Sequence, residues 1–64
     1  MTKQKAEYEI AVDGEVVATT FGPVRDASCE AMRYVAQYVS DGEVRVYEVS
    51  RREVTLGDLA VRSA

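Results

Sequence analysis

Glu7-Tyr8-Glu9-Ile10-Ala11-Val12-Asp13-Gly14-Glu15-Val16-Val17-Ala18-Thr19-Thr20-Phe21 places runs of alternating polar and apolar residues on either side of an Asp-Gly pair. A period of two is that of a half-buried strand, and Asp-Gly between two such runs predicts a hairpin. A two-residue type I′ turn needs positive φ at both central positions, which Asp and Gly tolerate, and its twist suits the flanking strands. Such a turn sets Val12 opposite Glu15, Ile10 opposite Val17 and Tyr8 opposite Thr19. Tyr8, Ile10, Val12, Val17 and Phe21 then share the face assigned to the core. Glu7, Glu9, Ala11, Val16, Ala18 and Thr20 fall on the other.

Downstream, Gly22-Pro23 closes the hairpin, and proline at a first helical position forfeits no hydrogen bond. A helix is expected to run to about Ser40, with Val24, Ala27, Ala31, Val35, Tyr38 and Val39 forming one apolar stripe at three- and four-residue spacing. Asp41-Gly42 ends it, glycine being suited to a left-handed helix end. Residues 43 to 50 read as a third strand with apolar groups on both faces: Val44 and Val46 on one, Arg45, Tyr47 and Val49 on the other. Thr55 followed by Asp58 resembles a capping box and predicts a short helix over 55–62. Upstream, residues 1–5 are expected to form a loose tail.

These elements predict a single α+β domain over 1–64, a two-layer β-β-α-β sandwich with a three-stranded antiparallel sheet in order 3-1-2 and one helix on one face. The opposite face is then uncovered, with Tyr47 and Val49 beside Ala11, Val16 and Ala18. The tail residues Val54, Leu56, Leu59 and Val61 either fold over that face or reach a neighbouring chain.

A chain of 64 residues buries only about 60% of the surface exposed when unfolded, which favours a partner subunit, and a homodimer is expected. Cys29 is the only cysteine and there is no histidine, so neither a disulfide nor a thiol-imidazole zinc site is available within one chain. A cytoplasmic, reducing location is expected: the first residues do not read as a signal peptide, and no apolar run is long enough to cross a membrane. No thiol-activating base exists for Cys29, the carboxylates Glu7, Glu9, Asp13 and Glu15 match no metal loop, and the four glycines are accounted for by turns. A non-enzymatic protein without cofactor is expected.

Two surfaces remain as binding candidates. Arg45, Tyr47, Val49, Val16 and Ala18, with Tyr34 off the helix stripe, form a candidate protein-interaction surface, aromatics with polar tips being common at such contacts. Arg45, Arg51 and Arg52, near Arg62 and interleaved with Tyr47, are the alternative: a small nucleic-acid-binding regulator. The net charge of −3 opposes phosphate backbones and places that alternative second.

Val12-Asp13-Gly14-Glu15-Val16-Val17-Ala18, Gly22-Pro23, the helix segment Glu30-Ala31-Met32-Arg33-Tyr34-Val35-Ala36-Gln37-Tyr38 and Asp41-Gly42-Glu43-Val44 together resemble small uncharacterised proteins encoded by tailed phages of actinobacteria. The resemblance spans most of the chain and carries no motif with an assigned role. It implies a phage accessory gene product acting in the host cytoplasm by binding a bacterial host protein, through an open sheet face or an exposed strand edge.

Overall fold

A computed structural model describes residues 4–64. The order of elements is β1 (Lys5–Val12), β2 (Glu15–Pro23), α1 (Val24–Tyr38), β3 (Val44–Glu48), β4 (Glu53–Val54) and α2 (Leu56–Arg62). The four strands form one antiparallel sheet in the order β2-β1-β3-β4. The expected 3-1-2 arrangement is therefore present within a larger sheet, and one correction applies: there are four strands instead of three, while α2 is the short helix expected over 55–62. β4 contributes only Val54 opposite Val46 and Glu53 opposite Tyr47, too few residues to show a period of two.

The hairpin turn has the geometry that Asp-Gly dictates, with φ 51° at Asp13 and 87° at Gly14, and Val12 lies opposite Glu15. One step further the register departs from the simple ladder. Ala11 faces Val16, but Ile10 faces Ala18 and Tyr8 faces Thr20, so Val17 is an extra residue bulged out of β2. A single inserted residue exchanges the faces of everything beyond it. Ala18 and Thr20 consequently turn toward the helices, whereas Phe21, expected in the core, is 65% exposed and Val17 is 38% exposed. Val12 is half-buried.

The core comprises Tyr8, Ile10, Ala27, Ala31, Val46, Val54 and Leu59, all on one side of the sheet. Ala27 and Ala31 let α1 lie close to β1 and β2. α2 packs beside α1 in the same layer, inserting fully buried Leu59 and leaving Leu56 and Val61 exposed. The tail thus folds in cis on the helical side, and the open face stays bare. Thr55 caps α2 by accepting a 3.1 Å hydrogen bond from the Asp58 N–H, the relation expected from the sequence.

Other boundaries shift slightly. α1 ends at Tyr38, and Val39, assigned to its apolar stripe, is 65% exposed. Gly42 has no positive φ; its missing side chain leaves room for Asp13, whose carboxylate accepts 2.9 Å from the Glu43 N–H while its own N–H donates 2.9 Å to the Glu43 carbonyl. This pair of bonds ties the hairpin turn to the start of β3. Of the expected loose tail, residues 1–3 lie outside the described residues, but Lys5 already pairs with Pro23 in the sheet and the Gln4 carbonyl accepts from the Val24 N–H.

Polar groups complete the interior. Tyr8 Oη meets Ser28 Oγ at 3.1 Å, and Arg62 donates to the same phenol at 3.2 Å while approaching Glu48 at 3.5 Å. Hydrogen bonding to Tyr8 raises the Arg62 pKa above its ordinary value. Thr20, buried by the bulge, donates to the Ala27 carbonyl at 3.0 Å, so the register change leaves no orphaned hydroxyl. Tyr8 thus links β1, α1 and α2 at one point.

Tyr8→Phe removes an acceptor from Arg62 and a partner from Ser28, and is expected to destabilise the chain by about 1–2 kcal/mol in urea denaturation. Combined with Ser28→Ala, the loss should be smaller than the sum of the two single losses, because both act on one bond.

Candidate interaction surface

Alternation along β1 sends Lys5, Glu7, Glu9 and Ala11 to the side opposite the helices. Their cross-strand neighbours extend that face: Phe21 opposite Glu7, Thr19 opposite Glu9 and Val16 opposite Ala11 on β2, with Tyr47 opposite Glu9 and Arg45 opposite Ala11 on β3. Neither helix covers any of them.

Ala11 is only 3% exposed although it lies on this uncovered side. It forms the floor of a shallow hollow rimmed by Glu9, Gly14, Val16, Tyr47 and Arg51. Arg51 is brought there by the β3–β4 turn, in which its N–H donates 2.8 Å to the Glu48 carbonyl and Glu48 N–H donates 3.0 Å to the Arg52 carbonyl. That turn forces Arg51 to φ 65°, a left-handed conformation that usually falls to glycine at this hairpin position. A second depression, lined by Glu7, Glu9, Val49 and Arg51, adjoins the first. The face is therefore mixed: Val16 and Phe21 are exposed apolar residues at the two ends of its β2 side, with Thr19 between them, beside a row of carboxylates and guanidinium groups. At one corner the Lys5 ammonium lies 5.9 Å from the centre of the Phe21 ring, within cation–π range.

Arg45 runs across this face between two carboxylates, 3.3 Å from Glu43 and 3.1 Å from Glu53. The hydrogen bond to Glu43, followed by the attraction of both carboxylates, raises its pKa above the ordinary value. Arg52 pairs with Glu48 at 3.4 Å and Arg62 with the same carboxylate at 3.5 Å. Among the described residues, Arg51 has no carboxylate within ion-pair distance.

Of the residues singled out in the sequence, Val16, Arg45 and Tyr47 meet on the open face, and Val49, 72% exposed, projects from the adjoining turn. Ala18 does not join them: the bulge turns it to the helical side, where it packs against the core. Tyr34 lies on α1, away from the sheet's open face, half-buried and stacked on Tyr38 with ring centres 6.5 Å apart. Phe21 and Lys5 belong to the face but escaped the sequence reading, since only the bulge puts Phe21 outside and Lys5 was assigned to the tail. Cys29 is exposed, its thiol 3.7 Å from the Ser63 carbonyl. Among the described residues, no three His, Cys, Asp or Glu side chains gather where they could hold a metal ion, and no helix is long and apolar enough to cross a membrane. Compared with known proteins, the chain matches no family model, no curated protein and no solved structure.

Arg51→Gly relieves the left-handed strain and is expected to raise stability by about 0.5–1 kcal/mol, the gain being limited by the greater freedom of glycine in the unfolded chain. Urea denaturation of the variant beside the wild type checks this; an unchanged or lowered midpoint would show that the turn stores no strain.

Proposed function

We propose that the chain is a non-enzymatic accessory protein that binds a bacterial host protein through the open face of its sheet, the role that the resemblance to phage accessory products implies. The observation that carries the reading is the uncovered face itself, where Val16, 50% exposed, rims the Ala11 hollow and Phe21, 65% exposed, lies further along the same face opposite Glu7. Exposed apolar groups rimmed by charges are the composition of a surface meant to be covered by another protein. Tyr47 supplies an aromatic body with a polar tip at the centre of the patch, and Glu9 and Arg51 supply opposite charges that set orientation more than affinity. Such a protein would act in the host cytoplasm.

The nucleic-acid alternative draws less support. Arg45 and Arg52 are already engaged by carboxylates, which weakens the positive potential they offer a phosphate, and Arg51 alone is a small footprint.

Immobilised wild-type chain is expected to retain a specific protein from an actinobacterial lysate, and Tyr47→Lys or Phe21→Asp should abolish that retention. Val61→Asp, placed on the exposed side of α2, should leave it intact. Retention of nothing above control, or equal retention by all the variants, would refute the proposal. A mobility shift of DNA or RNA at low ionic strength, lost on adding salt, would instead favour the nucleic-acid reading.

A further inference from the structure

The flank of the molecule along β2 is a second unfilled surface, distinct from the open face. β2 terminates the sheet on one side, with no strand beyond it among the described residues. Its nine residues contain one charged group, Glu15 at the start, and end in Pro23. Between them Val16-Val17-Ala18-Thr19-Thr20-Phe21 is uncharged and rich in residues that favour strands. Proteins commonly blunt an edge with lysine, inward charge or brevity. The opposite edge, β4, is two residues long; β2 has only the bulge near its beginning and the proline at its end.

α1 overhangs this edge. The bond from Thr20 to the Ala27 carbonyl marks the side of α1 that lies over β2, while Cys29 and Met32 turn the other way, toward Ser63 and α2. Tyr34 and Tyr38 follow Ala27 by seven and eleven residues, which returns them to the β2 side of the helix. Their stacked rings therefore form a half-exposed aromatic ledge above the unpaired edge.

We infer that a second copy of this chain occupies the flank, with β2 pairing antiparallel to β2 of its partner about a twofold axis normal to the sheet. Antiparallel pairing of a segment with itself is self-complementary, as a twofold interface requires. Pairing near Thr19 keeps the two Glu15 carboxylates at opposite ends of the junction. With α1 seated over β1 and β2, a strand spacing of about 4.8 Å brings the two α1 helices roughly 10 Å apart, the distance at which helices pack. Tyr34 and Tyr38 of both copies then fill the seam. A foreign extended peptide would satisfy the edge backbone but leave this aromatic ledge bare, which is why a helix-bearing copy fits better. The two open faces end up side by side on one surface of a continuous sheet, so the dimer would enlarge the surface described above; the inference itself rests on the edge and the ledge alone.

Sedimentation equilibrium of the wild-type chain is expected to give twice the mass of the 7.1 kDa protomer, and Thr19→Lys should halve it while keeping the far-ultraviolet circular dichroism. In a Cys29→Ser background, Thr19→Cys should cross-link between chains with a short bismaleimide, and Glu53→Cys on the opposite edge should not. A monomeric wild type overturns the inference, as does cross-linking at Glu53→Cys equal to that at Thr19→Cys. A folded Thr19→Lys that stays dimeric also overturns it; if Thr19→Lys fails to fold, the two cysteine variants decide the matter, and dimerisation kept by Tyr47→Lys upholds the inference separately from the partner-binding reading.

Discussion

Everything in this small fold depends on apolar burial being confined to one side of the sheet. Tyr8, Ile10, Val46 and Val54 look toward Ala27, Ala31 and Leu59, and both helices are used to seal that side. Among the described residues no further element seals the other. At the centre of the sealed side the Tyr8 phenol ties β1 to Ser28 of α1 and to Arg62 of α2. A buried hydroxyl with two partners holds the relative placement of three elements more narrowly than apolar contact alone would. The second helix is thereby committed to the same layer as the first.

Much of this was legible in the residues. The Asp13-Gly14 turn, the alternation in β1, the helix opening after Pro23 and the Thr55 cap each express a local preference strong enough to survive in the folded chain. The adjacency of β3 to β1 was the favoured one of two orders that the elements allow, the other setting the third strand parallel beside β2. The bare outer face with Val16, Arg45 and Tyr47 followed from those elements.

What was not legible shares a cause. The bulge at Val17 adds one residue to a ladder whose sequence fits an unbulged register equally well, since Val17 and Ala18 are both apolar and Thr19 and Thr20 are identical. Only the tertiary demand of Thr20 for the Ala27 carbonyl, and of α1 for a small neighbour such as Ala18, selects between them. β4 is too short for a period, and its pairing follows from the turn at Glu48–Arg52. Arg62 looked like one member of a basic cluster because its partners Tyr8 and Glu48 lie far away in sequence. Gly42 looked like a helix stop, but it is the neighbouring Asp13 carboxylate that needs the space.

The one-residue bulge is the feature on which the open face turns: it exposes Phe21 and hides Ala18. Hydroxyl-radical footprinting of the dilute chain compares Phe21, which the alternative registers place on opposite faces, with Tyr8, which both place in the core. Phe21 should be oxidised near the rate of a freely accessible ring and Tyr8 protected from it, consistent with exposures of 65% and 1%. Protection of Phe21 to the same degree as Tyr8, together with protection of Val17, would mean that β2 runs without the bulge and that the bare face described here is not the one the protein presents.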